Sequence, residues 1–504
     1  DVNAAAPFLP SVLFVTAELS PWATTGGLGE VSAALPRALA ALGHRVAVVA
    51  PLHRAVRERA PALRQVASID VPGFGAGFPV LAAESRPGGP EVYFIEHQGF
   101  FDRAGLYADA FGDYRDNLER FAFFSRSALE VAVALELPTD ILHCNDWHTG
   151  LAGAYLRTFY AGRAPFRAAR IVFTIHNLAY QGRFPAERFP VTGLPWSLFR
   201  YDWVEFYGQL NALKSGIVFA DRITTVSAGY AAEVLTPEYG EGLAPVLQHR
   251  RSDLVGIRNG IDVERWNPAT DPFLPARYDA DDLAGKGRCR EALVEELELS
   301  LPREAPLLAM VTRLTWQKGA DIVLGVAAEL LRSGSPPGPG PGLVLLGSGD
   351  AGLEKAYRDL AARHPDRVGV RIGFDEPLAH RIEAGADVFL MPSRYEPCGL
   401  NQMYSLRYGT VPVVRDCGGL GETVRDATAE PEAGNGFKFR EATGHALLES
   451  VGRAVTVHRE RDRWKELMRR GMAEDYSWAR SAKEYSTLYA DLVREPPREW
   501  RLPG

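Results

Sequence analysis

The sequence predicts an α/β protein of two domains, each built on a parallel sheet. Three observations carry this prediction. At 504 residues the chain is too long for one hydrophobic core. A pattern of apolar strand, turn and helix begins near residue 11 and again near residue 307. Polar or glycine-rich clusters follow most of the predicted strands, and open α/β sheets bind ligands beyond the carboxyl ends of their strands.

The composition is that of a soluble globular protein, with 46% hydrophobic and 24% charged residues. A net charge of −7 argues against nucleic acid as the main partner. No apolar run reaches the ~18–20 residues of a membrane span, and residues 1–10 lack the pattern of a secretory signal. The four cysteines have no C-x-x-C spacing, which favours a reducing compartment over a zinc site or disulfides. We expect an intracellular protein without membrane or nucleic-acid partners.

The first strand–turn–helix unit lies at the start of the chain. Residues 11–16 form an apolar strand, residues 21–29 form a glycine-rich turn, and apolar residues at helical spacing follow. Gly26 and Gly27 would let the backbone approach a ligand, and the helix N-terminus behind them favours phosphate. The turn matches neither G-x-G-x-x-G nor a P-loop, so an ordinary glycine turn is the alternative.

Three further strands of the first half end in polar clusters. Asn145, Asp146 and His148 follow a strand at 141–144, His176 and Asn177 follow one at 171–175, and Ser227 follows one at 222–226. Polar groups that repeatedly follow strand ends indicate one cleft lined from several strands. One such histidine could be a core residue, but the recurrence is harder to explain in that way. A strand at 254–257, followed by Asn259, is predicted to close this half.

The second half begins with another strand–turn–helix unit. An apolar strand at 307–311 leads into a turn with Arg313 and Lys318, and a helix is predicted up to Leu331. Two cations at the mouth of a strand suit a diphosphate, because arginine can bind bidentately and lysine supplies a point charge. A solvated basic turn is the alternative.

Glycine-rich loops and one aromatic residue follow other strands of this half. They are Gly347, Ser348 and Gly349 after a strand at 343–346, Phe374 after one at 368–372, and Gly419 and Thr423 after one at 411–414. The first loop formally matches G-x-G-x-x-G, but it opens no domain, and such a loop can cradle any phosphate. The aromatic ring could stack on a base, with a position in the core as the alternative.

The stretch 394–404 is the strongest site candidate of this half. It follows an apolar, buried strand at 388–391. A carboxylate lies just past the strand end, a glycine allows close approach of the backbone, and a helix with free N–H groups could begin there. Its candidate residues are Glu396, Cys398, Gly399 and Leu400. We predict a substrate-holding loop at 396–400, with an ordinary strand-to-helix turn as the alternative.

Seven strings resemble bacterial glycogen synthase and plant starch synthase, glycosyltransferase family 5. They are Thr-Gly-Gly-Leu-Gly at 25–29, Asn-Asp-Trp-His at 145–148, His-Asn-Leu-Ala-Tyr-Gln-Gly at 176–182, Asn-Gly-Ile-Asp at 259–262, Arg-Leu-Thr-Trp-Gln-Lys-Gly at 313–319, Glu-Pro-Cys-Gly-Leu-Asn-Gln-Met-Tyr at 396–404 and Tyr-Gly-Thr-Val-Pro at 408–412. The resemblance spans about residues 11–495, in the family's order. Together the strings are far more specific than any one of them.

The resemblance implies the GT-B architecture, which is two Rossmann-like domains facing a central cleft. We expect an acceptor-glucan domain at 11–265, a linker at 266–302 and a nucleotide-sugar domain at 303–476. An amphipathic helix at 477–495 would cross back to the first domain.

The implied activity is transfer of glucose from ADP-glucose to the non-reducing end of an α-1,4-glucan or maltooligosaccharide. The family does this with retention of configuration and without a metal or other cofactor. The resemblance also implies a cytoplasmic or plastidial location, or one on starch or glycogen granules. At the matching positions, Arg313 and Lys318 would neutralise the leaving diphosphate. Glu396 would hold the glucosyl hydroxyls and stabilise an oxocarbenium-like transition state. His176 would bind the sugar and orient the reacting centre.

Other matching positions are expected to bind the two substrates. The donor-binding set is Thr24, Gly26, Gly27, Gly347, Ser348, Gly349, Phe374 against the adenine, Cys398, Gly399, Leu400, Gly419 and Thr423. The sugar- or acceptor-binding set is Asp146, His148, Asn177 and Asn259. No metal site is expected. Asp279 and Asp281 superficially match the paired aspartates of some sugar transferases, but they lack a preceding apolar strand, and a solvated acidic linker is the better interpretation.

Two positions depart from the family pattern. Thr24 stands where the family usually has a lysine near the nucleotide phosphates, and Glu30 stands where it usually has an aspartate. Loss of one charged phosphate contact would weaken donor binding by ~1.5–3 kcal/mol. The choice between ADP-glucose and UDP-glucose is therefore left open by the sequence.

Three alternatives accompany this prediction. A catalytically weak paralogue could bind glucan or initiate granules, which the two departures motivate. Another GT-B transferase, such as a family 4 enzyme, usually has a second glutamate eight residues after the first, and here that position is Tyr404. The third alternative, a dehydrogenase, is supported only by the glycine string at 347–352.

Overall fold

A computed structural model of the chain describes residues 8–60, 62–333, 338–500 and 502–503. The chain divides into two units. The first comprises Asp1–Val226, Ala231–Arg258 and Trp478–Gly504, and the second comprises Ser227–Tyr230 and Asn259–Ser477. Residues 1–7, most of the segment expected to lack a secretory signal, lie outside the described part.

The chain up to residue 258 alternates strands with helices. Its strands are β1 Val12–Val15, β2 Val46–Pro51, β3 Arg64–Val71, β4 Gly75–Ala82, β5 Glu91–Ile95, β6 Ala108–Asp109, β7 Gly112–Asp113, β8 Ile141–Asn145, β9 Arg170–Ile175, β10 Arg183–Pro185, β11 Glu205–Phe206, β12 Gln209–Asn211, β13 Arg222–Thr225 and β14 Leu254–Gly256. Its α-helices are α1 Gly27–Ala41, α2 Arg54–Arg59, α3 Gln98–Phe101, α4 Asn117–Ala134, α5 Ala152–Tyr155, α6 Ala212–Phe219, α7 Ala228–Glu233 and α8 Ala244–His249.

Within residues 8–60 and 62–258, nine strands form one sheet in the order β14-β13-β9-β8-β1-β2-β5-β4-β3. Neighbouring strands from β14 to β5 are parallel, and β4 and β3 are antiparallel. The predicted parallel strands are apolar runs, and they are observed close to their predicted bounds. The β3–β4 pair escaped prediction because much of it is exposed, so it lacks an apolar run.

The rest of the chain builds the second unit and then one final helix. Its strands are β15 Leu307–Val311, β16 Gly342–Gly347, β17 Val368–Ile372, β18 Val388–Met391, β19 Val411–Arg415 and β20 Phe437–Phe439. Its α-helices are α9 Ala284–Glu296, α10 Ala320–Gly325, α11 Ala327–Leu330, α12 Ala351–Arg363, α13 Glu376–Gly385, α14 Asn401–Arg407, α15 Gly418–Thr423, α16 Gly444–Arg459, α17 Arg461–Met472 and α18 Trp478–Arg494. No helix of the described residues combines the length and apolar character needed to cross a bilayer.

The second sheet is parallel throughout its described strands, in the order β17-β16-β15-β18-β19-β20. Its central strand β15 is almost completely buried, because helices cover both faces of a parallel sheet. Successive apolar side chains of β15 point to opposite faces of the sheet and so lie in two different cores. Leu308 and Met310 belong to one core, and Leu307 and Ala309 belong to the other.

The segment 266–302 differs from the predicted linker. It lies inside the second unit and contains α9. Leu293 and Leu297 of this segment are buried in the same core as Leu307 and Phe389 of the sheet. Prolines, glycines and charged residues interrupt the apolar side chains of the segment, so these did not produce a recognisable helix or strand pattern in the sequence.

The C-terminal helix α18 packs on the first unit, as predicted. Its buried apolar face joins the core that contains Val12 and Phe14 of β1. One buried polar contact extends this packing into the sheet. The Tyr489 hydroxyl is hydrogen-bonded to Nδ1 of His143 at 2.6 Å, and Nε2 of that histidine is hydrogen-bonded to Oγ1 of Thr174 at 2.6 Å.

Substitution of Tyr489 by phenylalanine tests this contact. Y489F leaves a fully buried imidazole nitrogen unpaired, so we expect the unfolding free energy of the first unit to fall by about 1–3 kcal/mol. Thr487→Ala on the exposed face of the same helix is the matched control, with an effect of about 0.5 kcal/mol or less. Scanning calorimetry measures both. Equal midpoints for the two variants would contradict the assignment.

Candidate active site

The carboxyl edge of the second sheet collects the candidates of the second half in a fixed order. Phe374 follows β17, the loop 347–349 follows β16, Arg313 and Lys318 follow β15, Glu396 follows β18, and residues 419–423 follow β19. Neighbouring strands lie about 4.8 Å apart. The carboxyl ends of β17 and β18 are separated by three such spacings, which is roughly 14 Å. One edge of one sheet thus presents an aromatic ring, a glycine loop, two cations and a carboxylate in a row.

Lys318 and Glu396 form an ion pair at the centre of this row. The Lys318 ammonium nitrogen lies 2.9 Å from Oε1 and 2.6 Å from Oε2 of Glu396. The Ser393 hydroxyl donates a third hydrogen bond to Oε2, at 3.0 Å. The side chains are 17% and 6% exposed, so the pair is largely removed from solvent. A carboxylate and a cation predicted from separate strings are therefore in direct contact.

Arg394 fixes the loop that carries this carboxylate. Its guanidinium makes two parallel hydrogen bonds to Asp321 of α10, at 2.8 and 2.7 Å, and it covers the ring of Trp316. Gln317 also donates to the backbone oxygen of Tyr395 at 3.2 Å. The turns after β15 and β18 are thus joined by side chains as well as by the adjacent strands. The string motifs did not predict these two contacts.

The Cys398–Leu400 turn is packed tightly against α15. Gly399 has a φ of +71°, which favours glycine. A Cβ atom on Gly419 would lie 2.1 Å from the Cys398 carbonyl oxygen, so this position excludes a side chain. The Gly419 N–H donates to the Glu396 carbonyl oxygen at 3.1 Å. The glycine therefore holds the carboxylate loop through the backbone.

Two residues of this region have internal partners. The Thr423 hydroxyl donates to the Gly419 carbonyl oxygen at 2.7 Å, and the residue is 3% exposed. Cys398 is 5% exposed. Both shape the loop in this structure, while the donor contacts expected of them stay predictions.

The glycine loop after β16 is joined to the turn after β15. The Leu314 N–H donates to the Ser348 carbonyl oxygen at 2.8 Å, and the Asp350 N–H donates to the Leu314 carbonyl oxygen at 2.8 Å. A Cβ atom on Gly347 or Gly349 would lie 1.9 or 2.4 Å from a backbone oxygen of that turn. Backbone packing therefore requires both glycines, independently of any phosphate.

Two groups of this row, at its β17 end and after β15, are exposed. Phe374 is 91% exposed and follows Gly373, whose φ is +133°, so the ring is not a core residue. Arg313 is also exposed, and its guanidinium has no hydrogen bond or ion pair among the described residues. Both groups are accessible to a ligand.

In the first unit, Asp146 and His176 are joined at the ends of adjacent strands β8 and β9. The Asp146 backbone has a φ of +55°, an uncommon conformation for a residue with a side chain. Its Oδ1 accepts a hydrogen bond from the His176 N–H at 2.7 Å. Burial raises the pKa of this carboxyl to about 8, against the opposing effect of backbone hydrogen bonds.

The His176 ring is held as a neutral imidazole. Burial lowers its pKa to about 3. Its Nε2 lies 2.9 Å from Oδ1 of Asn145, whose amide nitrogen in turn donates to the Val15 carbonyl oxygen at 3.0 Å. The amide oxygen only accepts, so Nε2 carries the proton and Nδ1 is an acceptor.

His148 lies in an aromatic environment of the same unit. Its ring stacks on Tyr107 with centroids 4.4 Å apart. It is 6% exposed, and burial holds its pKa well below the usual range. Nδ1 has no hydrogen-bond partner among the described residues. Asn177 uses its side-chain oxygen to accept from the Ala179 N–H at 3.0 Å.

The glycine turn of the first unit depends on a buried carboxylate that the motif analysis missed. Glu18 is 3% exposed and accepts hydrogen bonds from the Thr25 N–H at 2.8 Å, the Thr25 hydroxyl at 2.7 Å and the Tyr107 hydroxyl at 2.8 Å. Its position directly after the first strand was the available signal. A Cβ atom on Gly26 or Gly27 would meet nothing within 4 Å, so no close approach explains these glycines here.

Asn259 and Asp279 both lie in the second unit. Asn259 is a buried residue of the second unit, at its boundary in the chain. The Asp279 carboxylate accepts from the backbone N–H groups of Asp281 and Asp282, both at 2.9 Å, which makes a local turn. Within the described residues, no three His, Cys, Asp or Glu side chains are grouped to hold a metal ion.

Comparison with sequence families gives two consecutive matches. Residues 11–249 match the starch synthase catalytic domain, and residues 296–470 match glycosyl transferases group 1. A glycogen synthase of Anaeromyxobacter sp. is 53% identical over 484 residues, which cover 96% of this chain and 99% of that protein. A glycogen synthase of Myxococcus xanthus is 46% identical over 490 residues, which cover 96% and 100%.

Solved structures of glycosyltransferases resemble this chain as well. The catalytic domain of starch synthase IV from Arabidopsis thaliana, bound to ADP and acarbose, has a TM-score of 0.88 at 34% identity and covers 97% of this chain and 100% of its own. A sucrose-phosphate synthase from Thermosynechococcus elongatus has a TM-score of 0.59 at 18% identity over 96% of this chain and 99% of its own, which shows the fold alone. The predicted GT-B fold and family resemblance are confirmed. The chain is a glycosyltransferase and belongs to the glycogen synthase and starch synthase family.

Proposed function

We propose that this chain transfers glucose from ADP-glucose to the non-reducing end of an α-1,4-glucan, with retention of configuration. The observation that carries the proposal is the order of groups along the second sheet. Phe374, the loop 347–349, the cations Arg313 and Lys318, and Glu396 follow one another across roughly 14 Å. A sugar nucleotide presents its base, ribose, diphosphate and sugar in the same order.

One related structure supports ADP as the nucleotide. The related Arabidopsis starch synthase IV structure is described as bound to ADP and acarbose, and the curated relatives are glycogen synthases. The exposed ring of Phe374 can stack on a purine, whose area exceeds that of a pyrimidine. A maltooligosaccharide is the corresponding acceptor.

The two cations provide charge where the leaving group departs. When the bond from the glucosyl C1 to the diphosphate oxygen breaks, negative charge accumulates on the diphosphate, and Arg313 and Lys318 stabilise it. We therefore propose transfer without a metal or other cofactor. Glu396 lies beside the cation and stabilises positive charge that develops on the sugar ring before the acceptor hydroxyl bonds to C1.

The neutral His176 and the buried Asp146 serve the sugar rather than the diphosphate. An uncharged imidazole with a free acceptor nitrogen suits a sugar hydroxyl. A carboxyl whose pKa is about 8 is largely protonated at pH 7, so it can donate as well as accept. We propose that this pair, with His148, binds hydroxyl groups of the glucosyl residue or the acceptor.

A catalytically weak, glucan-binding paralogue is the second candidate function. The observation in its favour is the replaced lysine position. The Thr24 hydroxyl donates to the Gly26 carbonyl oxygen at 2.9 Å, and Glu30 accepts from the Ser20 hydroxyl at 2.7 Å. Both side chains form hydrogen bonds within their own turn, and neither carries a positive charge.

The direct test is elongation of a maltooligosaccharide by the purified chain. We expect longer chains with ADP-glucose and slower growth with UDP-glucose, analysed by chromatography of a labelled acceptor. Faster growth with UDP-glucose would reverse the donor assignment. Glucan binding without elongation by either donor would establish the paralogue instead.

Replacement of Glu396 by glutamine tests the proposed transition-state role. E396Q keeps the shape and removes the charge, so kcat should fall about 10²–10³-fold, as when one electrostatic stabiliser is removed. Asp359→Asn breaks an exposed lysine–carboxylate pair of the same 2.6 Å length on α12 and is the matched control. The control should keep wild-type kcat. Wild-type turnover by E396Q would remove Glu396 from the chemistry.

Introduction of a lysine at Thr24 tests the missing cation. T24K should lower the KM for ADP-glucose about 10- to 100-fold, the equivalent of ~1.5–3 kcal/mol for one charged hydrogen bond. Thr487→Lys adds the same charge on the exposed face of α18 and should leave KM unchanged. If the two variants have the same KM, Thr24 is not a phosphate position.

A further inference from the structure

We propose that Trp266 is a positioning residue for the donor, an inference that rests on the proposed function. Its indole is clamped between His380 of α13 and Tyr404 of α14. The helix α13 begins just after Phe374, and α14 begins just after the 396–400 loop. One side chain thereby links the proposed nucleotide end of the donor site to its sugar end.

The three rings form a parallel stack. The Trp266 and His380 centroids lie 3.7 Å apart with planes 9° from parallel, and the Trp266 and Tyr404 centroids lie 3.8 Å apart with planes 12° from parallel. Face-to-face contact on both sides restricts rotation and tilt of the indole. An aliphatic side chain could fill the volume, but it would not restrict orientation in this way.

A buried aspartate anchors one end of the stack. Nδ1 of the fully buried His380 lies 2.7 Å from Oδ2 of Asp271, and the Tyr408 hydroxyl donates to the same oxygen. Burial alone would raise the pKa of Asp271, but these hydrogen bonds hold it below the usual range. The charged Asp271, which lies on the same segment as Trp266, therefore fixes the ring of His380 against the indole.

Other contacts tie the same segment to both helices. Arg265 forms an ion pair with Glu376, the first residue of α13. Nε of Arg407, the last residue of α14, donates to the Trp266 carbonyl oxygen at 3.4 Å. The segment 265–271 thus contacts both helices by side chain and backbone, at positions other than the stack itself.

The sheet alone does not hold the two donor loops together. The strands β17 and β18 are separated by β16 and β15, so Phe374 and the 396–400 loop share no ladder hydrogen bonds. A donor that touches both ends requires their separation to be correct, and misplacement by about 1 Å can lower a rate about 100-fold. The segment 265–271 therefore adds a second connection between the two ends, through α13 and α14, to the loop contacts that run from β16 to β15 and from β15 to β18.

Tyr404 also explains the absent second glutamate in physical terms. Its ring faces the indole, so a carboxylate at this position would remove half of the clamp. The residue thus acts through Trp266 on the loop geometry, and its hydroxyl is not required for the stack.

The test compares Trp266→Phe with Trp266→Leu in the full chain. We expect W266F to keep activity within about threefold, because a planar ring preserves the stack. We expect W266L to lose about 10- to 100-fold in kcat/KM for ADP-glucose, with the KM for maltooligosaccharide unchanged. Trp464→Leu is the control. Trp464 is buried in the second unit, where Trp266 is half-buried, and it packs edge-on against His458.

Thermal unfolding separates positioning from stability. W266L and W464L should both lower the unfolding midpoint, but only W266L should change the donor kinetics. Equal donor kinetics for the two leucine variants would overturn the proposal. If W266L does not fold, Tyr404→Phe against Tyr404→Leu decides the question in the same way, with activity kept in the first and lost in the second. A wild-type chain that fails to elongate glucan would overturn the proposed function itself.

Discussion

The ion pair between Lys318 and Glu396 is the interaction on which the proposed donor site depends. Burial of a pair costs solvation free energy, which is offset here by two hydrogen bonds from the ammonium group and one from Ser393 to the carboxylate. The two residues follow adjacent strands, so the pair fixes both loops at once. In the free protein it also neutralises the cation that we assign to the diphosphate. Donor binding must therefore redirect the ammonium from a carboxylate to a phosphate.

The glycines of the site have two different origins. Gly347, Gly349 and Gly419 face backbone oxygens at distances that exclude a Cβ atom, so the packing of neighbouring loops requires them. Gly26 and Gly27 face open space. Of these five glycines, only Gly26 and Gly27 have space beside them that a ligand could occupy. A glycine-rich string in the sequence does not distinguish these cases, because the neighbouring backbone comes from a distant part of the chain.

Much of the fold was predictable, because parallel buried strands are apolar runs that end in polar residues. The edge that gathers Arg313, Lys318 and Glu396 followed from the same rule. The contacts that hold the site were not predictable from patterns. Glu18 is one glutamate among many until Thr25 and Tyr107 are seen beside it. Trp266 lies in a stretch predicted as a linker, and its partners are over 100 residues away in the sequence.

The affinity of ADP for E396Q tests the central claim most directly. If Glu396 holds the diphosphate-binding ammonium in the free protein, removal of its charge releases that cation and also removes repulsion of the phosphates. Calorimetric titration should then show tighter ADP binding to E396Q than to wild type, while Lys318→Ala binds ADP more weakly. Weaker binding to E396Q, comparable with that of Lys318→Ala, would contradict this account of the ion pair.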